Sequence, residues 1–446
     1  MMGKNEIAHM ITGENGTSTQ PSFHELMERR KAGRRRFPWV FWALLGPGVL
    51  AAIANNDAGG VIAYAVTGAQ FGIGLFVPLV ICLAPLEFTI QEMSMRLGAA
   101  TGLGFARVAR QRYGAFWGYY HISTLAFENL LTLITEFIGM TAGLVILGFP
   151  MWVAALLCLL LVIAFALLTG YWTKERIALL FGSLNVVFLV AAWLTHPSMA
   201  AIGHAFAAWN VPQAMKAGLT LYIIATIGNA IAPWMIFFQE SGTVDKGVTS
   251  EEIRFSRIDT AIGCTMQVVV AAGVIIFGAS LFGYVKDISN AGPAEIISSL
   301  DHVAGRLPAI LFGMGLFNAG FLASITVSLS SSWSIAELFG WSKSLNDKIS
   351  EAPTFYAIYI GSLVIAAAVI LIPGLPLNFI AIVTQIIGGI MMTPLLIFLV
   401  LMTSDKELMG EHRTGLFGRT WSWAMAAALV GFTIVTLWHT FSGFFS

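Results

Sequence analysis

A carboxylate, Asp57, stands in the middle of a long apolar run. The run extends from about residue 38 to residue 66 and contains the interruption NNDAGG at residues 55–60. A carboxylate at mid-membrane depth costs roughly 2.5–3.5 kcal/mol, and glycines disfavour a helix. A charge beside a helix break predicts a discontinuous helix around an ion or substrate, with Asp57 as ligand and Gly59 in the break. The alternative is a kinked helix in which Asp57 is protonated or hydrogen-bonded to a neighbour.

A second interruption has the same character. The sequence GNAIAPW at residues 228–234 places Pro233 inside the apolar run from about residue 216 to residue 240. Two spans broken by Gly or Pro in corresponding halves of a membrane protein indicate a transport site between the breaks, near the bilayer midplane.

The composition excludes a soluble globular protein. Of the 446 residues, 57% are hydrophobic and 11% are charged, whereas soluble domains carry about 25% charged residues. The three cysteines, Cys82, Cys158 and Cys264, are far apart in apolar runs and predict neither a disulfide framework nor a zinc site. The polar segment 1–36 ends in a basic cluster and lacks the short apolar core of a signal peptide, so we expect a cytoplasmic basic tail.

Eleven apolar runs are long enough to span a bilayer. They fall at about residues 38–66, 74–98, 117–147, 151–169, 177–195, 216–240, 259–283, 307–338, 354–372, 377–402 and 420–444. With the N-terminus in the cytoplasm, only Lys216, Lys286 and Arg306 of the 24 lysines and arginines lie on the outer side. This asymmetry predicts a multi-pass protein of the cell membrane with a cytoplasmic N-terminus and an extracellular C-terminus.

The two broken spans are the first and the sixth, so each begins a set of five. Because five is odd, the two sets must be inverted relative to each other, as in inverted-repeat transporters. We therefore expect an all-α integral membrane protein with 11 transmembrane helices, built from a 5+5 inverted repeat and an extra helix 11. The predicted segments are the tail (1–36), the first repeat (37–195), the second repeat (196–402) and a loop with helix 11 (403–446).

Three further stretches resemble the natural-resistance-associated macrophage protein (NRAMP) family of divalent-metal transporters. Residues 67–72, TGAQFG, are similar to the family's AGAQFG, and residues 91–98, QEMSMRLG, followed by Thr101-Gly102, resemble its Gln…Arg-Leu-Gly…Thr-Gly. Residues 136–139, EFIG, are similar to its EVIG. The resemblance implies the five-plus-five inverted-repeat (LeuT-like) fold and divalent-metal transport, with the metal as cargo and no cofactor.

The chain departs from the family at both breaks. The family's first break reads Asp-Pro-Gly-Asn, so Asp57 is kept and the Asn ligand becomes Gly60. The second reads Met-Pro-His, so the thioether ligand becomes Ala232 and the histidine becomes Trp234. The family's alanine with a coordinating backbone carbonyl falls at Asn229.

Other departures concern the groups that line the family's ion and proton routes. The second histidine of span six falls at Gln239, and the acid three residues before Glu136 becomes Leu133. The family's span-ten glutamine aligns best with Ile387, while Gln385 lies two residues away.

These changes predict an oxygen site for a hard cation. Thioether sulfur favours softer metals, whereas carboxylate, carbonyl and water favour Mg²⁺, Ca²⁺ and Mn²⁺. Asp57, Asn229 and the backbone around Gly60 and Ala232 then form a wide, all-oxygen site, which suits an ion that keeps several waters, such as Mg²⁺. The chain thus resembles the NRAMP-related magnesium transporters, a branch of the family, with Mn²⁺ as the competing cargo.

Proton co-transport needs titratable groups near the site. Because Trp234, Gln239 and Leu133 replace such groups, we predict uncoupled metal transport. The remaining acids, Glu87 and Glu92 in span two and Glu128 and Glu136 in span three, offer an alternative proton route. The last two lie about 12 Å apart on nearly one helix face and either hydrogen-bond to neighbouring helices, with Gln91 or Asn129 as partners, or line the ion path.

Three other polar or aromatic positions have two interpretations each. Trp234 is a packed aromatic or a gate. Asn55 and Asn56 supply an oxygen ligand or cap the half-helix.

Two other functions compete with metal transport. A sodium-coupled organic-solute symporter would leave helix N-terminal amides free for a substrate carboxylate, which Asp57 would repel. An enzyme would need a nucleophile with its base, but no histidine lies near Asp57 or Pro233 in the sequence. We therefore predict a non-enzymatic, monomeric transporter whose partners are the metal ion and the lipid bilayer, without nucleic acid.

Overall fold

A computed structural model describes residues 45–445, apart from residues 169, 212–218, 283–302, 304, 343 and 346. The basic tail predicted at residues 1–36 lies outside the described residues.

The first half of the described chain is a series of helices. They are α1 (Pro47–Ala54), α2 (Ala58–Phe71), α3 (Phe76–Cys82), α4 (Ala84–Thr101), α5 (Phe105–Tyr113), α6 (Ala115–Ile146), α7 (Met151–Ala166), α8 (Tyr171–Ser183), α9 (Val186–Leu194) and α10 (Met199–Ala208).

The second half of the described chain is also a series of helices. Its helices are α11 (Leu219–Ala230), α12 (Pro233–Asp245), α13 (Ile253–Ala279), α14 (Arg306–Phe339), α15 (Pro353–Val369), α16 (Leu377–Ser404), α17 (Lys406–Met409) and α18 (Leu416–Phe445), with short 3₁₀ turns at Ser250–Glu252 and Gly410–His412. The described residues contain no strand, which confirms the all-α prediction.

The predicted spans coincide with these helices. Within the described residues, eight helical segments are long and apolar enough to cross a membrane, and the bent pair α1 and α2 makes a ninth. Three of the eight combine two helices each: α3 with α4, α8 with α9 and α11 with α12. The fourth and ninth predicted spans correspond to the shorter apolar helices α7 and α15, of 16 and 17 residues. The extra apolar helix α10 has only 10 residues and lies in the predicted loop between spans five and six.

The contacts between the two halves are symmetric. A contact between two spans has a counterpart between the equivalent spans of the opposite halves. The most extensive helix–helix contact joins span three, α6, to span eight, α14. Span one, α1 and α2, packs on span seven, α13, and α12 of span six packs on span two, α4. Span six is the counterpart of span one, and span two is the counterpart of span seven. The contact between spans one and seven is therefore equivalent to the contact between spans six and two. The spans therefore pack as two interlocked repeats, and the exact boundaries of the repeats stay a prediction.

Buried polar groups anchor the start of α1. The Asp259 carboxylate in α13 accepts hydrogen bonds from the backbone N–H groups of Gly46 (2.8 Å), Gly48 (2.8 Å) and Val49 (3.3 Å). Lys246, after α12, donates to the Leu45 carbonyl at 3.0 Å. The carboxylate thus satisfies helix N–H groups that have no partner within the helix.

Candidate metal-binding site

The first break separates α1 from α2 by the three residues 55–57. The prediction that Gly59 lies in the break was wrong, because the side chains of Asp57 and Glu136 cap the helix from Ala58 onward and Gly59 belongs to its first turn. The two half-helices are bent by 46°. Asp57 is extended (φ −68°, ψ 164°) and caps α2 through a hydrogen bond that its carboxylate accepts from the Gly60 N–H. The carboxylate is therefore held by the backbone of the helix that follows it, and the residue is only 1% exposed.

The second break is shorter and consists of Ile231 and Ala232. Ala232 is extended (φ −67°, ψ 138°), and Pro233 takes the first position of α12, where a missing N–H removes no helical bond. The two half-helices together form one 27-residue candidate span, so the bend is smaller than at the first break.

A hydrogen bond joins the two breaks directly. The Asn55 side-chain amide donates to the Asn229 carbonyl at 2.9 Å, and both residues are fully buried. The first break therefore contacts the last turn of α11, directly before the second break, and the predicted site between spans one and six stays a prediction.

The Asn229 side chain lies against Gly60. A Cβ atom built on Gly60 would overlap the Asn229 amide, and Asn229 Oδ1 is the nearest atom to it. Neither polar atom of that amide makes a well-formed hydrogen bond, although the Tyr64 hydroxyl lies nearby. Relative to the family pattern, the amide lost at position 60 has thus been replaced by one from the opposite half-helix, in nearly the same place.

Two more amide oxygens remain unpaired at the first break. The side-chain amides of Asn55 and Asn56 both donate to backbone carbonyls. Asn55 donates to the Asn229 carbonyl, and Asn56 donates to the Gln267 carbonyl at 3.0 Å. The Oδ1 atoms of both residues are buried without a partner. The sequence predicted that Asn55 and Asn56 either cap the half-helix or supply an oxygen ligand. Asp57 caps α2 instead, and the side-chain oxygens of the two asparagines have no hydrogen-bond partner.

Gln385 in α16 faces the first break. A Cβ atom on Gly59 would lie 3.2 Å from Gln385 Nε2, an atom that has no hydrogen-bond partner. Ile387, two residues further on, is only half-buried. The structure thus brings the Gln385 side chain next to the first break, and its role as a ligand stays a prediction.

The two acids of α6 differ in their surroundings. Glu136 accepts a hydrogen bond from the Ala58 N–H at 2.8 Å, so it helps Asp57 to cap α2. Glu128 accepts from Thr132 at 2.9 Å and has one unpaired oxygen, Oε2. Both Glu128 and Pro233 border Gly388, which puts this carboxyl group beside the second break.

The partners that the sequence suggested for these acids are engaged elsewhere. Gln91 donates to Glu87 at 3.1 Å, and Asn129 donates to Ser330 and Ser331 of α14, each at 2.7 Å. Hydrogen bonding of Glu136 to a neighbouring helix is confirmed, but through the backbone of α2.

Two predicted residues of α12, Gln239 and Trp234, contact side chains of α13 and α12. Gln239 is about 9 Å along the helix from Pro233 and donates to Thr260 at 3.5 Å. Trp234 is fully buried and meets Phe238 edge-on, with ring centroids 6.2 Å apart. Packing accounts for Trp234 in this conformation, and its gating role stays a prediction.

Sequence reasoning missed Gln267 and Tyr64. The Gln267 carbonyl binds Asn56, and Tyr64 lies between the Gln267 and Asn229 side chains. The available signals were an amide inside the apolar run of span seven, and a tyrosine seven residues after Asp57 and so on the same helix face.

The donors around the breaks are oxygen atoms. Among the described residues, no three side chains of His, Cys, Asp or Glu converge as a metal cluster. The residues at and next to the breaks instead offer the Asp57 carboxylate and the amide oxygens of Asn55, Asn56 and Asn229, which lack a well-formed hydrogen bond. Such donors suit hard cations that keep part of their water shell.

Comparisons with known proteins identify the family and the fold. A family model described as natural resistance-associated macrophage protein-like matches residues 48–439. Divalent metal cation transporter MntH of Levilactobacillus brevis is 25% identical over 461 aligned positions (97% of this chain, 96% of the relative), and MntH of Deinococcus radiodurans is 24% identical over 423 (90% of each). The crystal structure of the Eremococcus coleocola manganese transporter with an aromatic bis-isothiourea compound superposes with a TM-score of 0.72 at 20% identity, over 98% of this chain and 92% of that one.

Proposed function

Because the chain belongs to the natural resistance-associated macrophage protein-like family and is therefore a divalent metal transporter, we propose that its cargo is Mg²⁺, with Mn²⁺ as a second substrate. The observation that carries this proposal is the oxygen donor set at the two breaks, where Ala232 and Trp234 take the places of the family's thioether and imidazole. Sulfur and nitrogen ligands favour softer metals, and their loss favours hard cations.

The exchange of Gly60 and Asn229 supports the same cargo. An amide oxygen is kept beside the Asp57 carboxylate, although it comes from the other half-helix. One carboxylate with several amide oxygens matches the way in which proteins hold Mg²⁺, through few direct ligands and retained waters.

The width of the site depends on the Asn229 side chain. In this conformation the Asn229 amide fills the space next to Gly60, and every candidate ligand is buried. We propose that the amide turns aside when a hydrated ion enters, so that its oxygen contacts a water of the ion.

Influx of Mg²⁺ into proteoliposomes, with Mn²⁺ measured in parallel, tests this cargo. We expect saturable entry of Mg²⁺ that Asp57→Ala abolishes and that Glu407→Ala leaves intact, since Glu407 is exposed, with 77% of its side-chain surface accessible. Mn²⁺ entry without Mg²⁺ entry would reject Mg²⁺ as the cargo. It would favour the alternative, a proton-coupled transporter for Mn²⁺, the metal that the Eremococcus coleocola relative is named for.

We propose further that transport is not coupled to protons. Trp234, Gln239 and Leu133 cannot exchange a proton near neutral pH, and Glu136 is engaged in capping α2. A pH-sensitive dye inside the vesicles should therefore report no acidification during metal influx. Acidification in proportion to metal entry, lost in Glu128→Gln, would instead establish the acids of α6 as a proton route.

A further inference from the structure

A second group of buried polar side chains lies beside the candidate site. It consists of Tyr64 in α2, Glu87 and Gln91 in α4, and Gln267 in α13, all fully buried. These three helices pack together, with α13 in contact with both α2 and α4. Tyr64 is about 10 Å along α2 from Asp57, toward the helix end that the charge distribution places on the outer side.

Most polar atoms of this group have no partner. Glu87 accepts one hydrogen bond, from Gln91 at 3.1 Å. The Gln91 side-chain oxygen and both polar atoms of the Gln267 side chain are buried without a well-formed hydrogen bond. The other Glu87 oxygen and the Tyr64 hydroxyl also lack one, although the Cys264 thiol lies near the first and the Gln267 and Asn229 side chains lie near the second. Buried polar atoms are nearly always satisfied, so this concentration indicates a place that holds waters or an ion.

The carboxyl group of Glu87 also has no basic neighbour within the described part of the chain. The groups around it there are the Cys264 thiol, Gln91 and Tyr64. By contrast, Glu92, five residues further along α4, pairs with Arg96 at 2.9 Å and Arg257 at 2.8 Å. A carboxylate buried within a membrane without a counter-ion is costly, and a cation among these oxygens removes that cost.

We propose that Glu87, Gln91, Gln267 and Tyr64 form a second cation site, which holds a hydrated divalent ion next to the Asp57 site. The donors are again oxygens, which selects a hard ion, and their contact is through the waters that such an ion retains. Asn56 links the two sites, because its amide donates to the Gln267 carbonyl while its oxygen is unpaired at the first break. This inference rests on the proposed function, since its ligand is the transported ion.

Mn²⁺ binding to the purified full-length protein tests the second site. The electron paramagnetic resonance signal of free hydrated Mn²⁺ reports the bound fraction. We expect Asp57→Asn to retain one bound ion and the double variant Asp57→Asn/Glu87→Gln to bind it at least about tenfold more weakly, the lower range for lost metal-site partners. The matched control, Asp57→Asn/Glu92→Gln, should keep the ion, because Glu92 is already paired with arginines.

Two further variants guard against a folding defect. Asp57→Asn/Glu87→Asp keeps the carboxylate and should bind, whereas Asp57→Asn/Gln267→Leu removes neutral oxygens and should bind more weakly. The second site is rejected if Asp57→Asn alone binds no Mn²⁺, or if the ion persists after Glu87→Gln. If the unmodified protein binds no divalent ion, the proposed function itself fails, which is a distinct result.

Discussion

At the scale of single residues, the candidate site is organised by the contact between Gly60 and Asn229. Asn229 Oδ1 lies where a side chain at position 60 would begin, so a side chain at position 60 and the Asn229 amide in its present orientation exclude each other. The family pattern, with Asn at the first position and Ala at the second, and the pattern here, with Gly60 and Asn229, are two solutions of the same packing constraint.

Gly60→Asn tests that constraint. We expect the single substitution to overpack the site at a cost of about 1–3 kcal/mol and to abolish metal uptake. The double variant Gly60→Asn/Asn229→Ala restores the family's arrangement and should recover both folding and uptake. Thermal unfolding and Mn²⁺ influx measure the two effects.

The coupling between the two substitutions is the decisive quantity. Asn229→Ala alone serves as the control, and residues in contact are expected to show non-additive effects. Additive losses in the double variant would mean that the two side chains do not compete for one place.

At the scale of elements, the half-helix α1 is held at both ends by polar contacts. Its start is bound by Asp259 and Lys246, and Lys246 also pairs with Glu175 of α8 at 3.0 Å. Its end leads into Asn55, which binds the second break. Opening of the site toward the start of α1 therefore requires these buried contacts to separate.

Lys246→Met is expected to destabilise the protein strongly. The ion pair is almost inaccessible, with side-chain exposures of 1% for Lys246 and 3% for Glu175. Removing one partner of such a pair costs about 3–5 kcal/mol because it leaves a buried charge uncompensated. Unfolding in mixed detergent micelles, titrated with sodium dodecyl sulfate, measures the change in the free energy of unfolding.

Two comparisons separate this effect from a general loss of charge. Lys246→Met/Glu175→Met removes both charges and should recover part of the stability. Arg112→Met breaks an exposed pair with Asp405 and should change stability far less. Equal effects of Lys246→Met and Arg112→Met would show that burial of the Lys246 pair is not what matters.

At the scale of the whole molecule, the orientation in the membrane remains a prediction from the distribution of Lys and Arg. The helices at the eleven predicted places are compatible with an odd number of crossings, which puts the two termini on opposite sides.

Cysteine labelling in intact cells tests the orientation. In a Cys82→Ala background, Ser446→Cys should react with a membrane-impermeant maleimide from outside, and Lys406→Cys should react only after permeabilisation. The expected side of each position follows from the charge asymmetry. If the C-terminus is extracellular, the loop before α18, which contains Lys406, lies in the cytoplasm. The reverse labelling pattern would invert the topology.

Much of the fold followed from the sequence. Apolar length determines the spans, and the glycines and proline beside Asp57 and in front of Trp234 locate both breaks, because helix interruption is a local property of the chain. The helices predicted from these features were confirmed at the fourth and ninth spans even though α7 and α15 are short.

The partners of the polar side chains were decided only by the tertiary structure. Sequence alignment favoured Ile387 over Gln385, suggested Gln91 or Asn129 for the acids of α6, and gave no sign that Gly60 and Asn229 touch. These contacts join residues up to hundreds of positions apart, so they depend on how the helices are rotated against one another. The sequence by itself determined a broken-helix membrane protein with a carboxylate at its first break. Packing between the helices determined which oxygens share that carboxylate's site, because a buried hydrogen bond depends on distance in space and not on spacing along the chain.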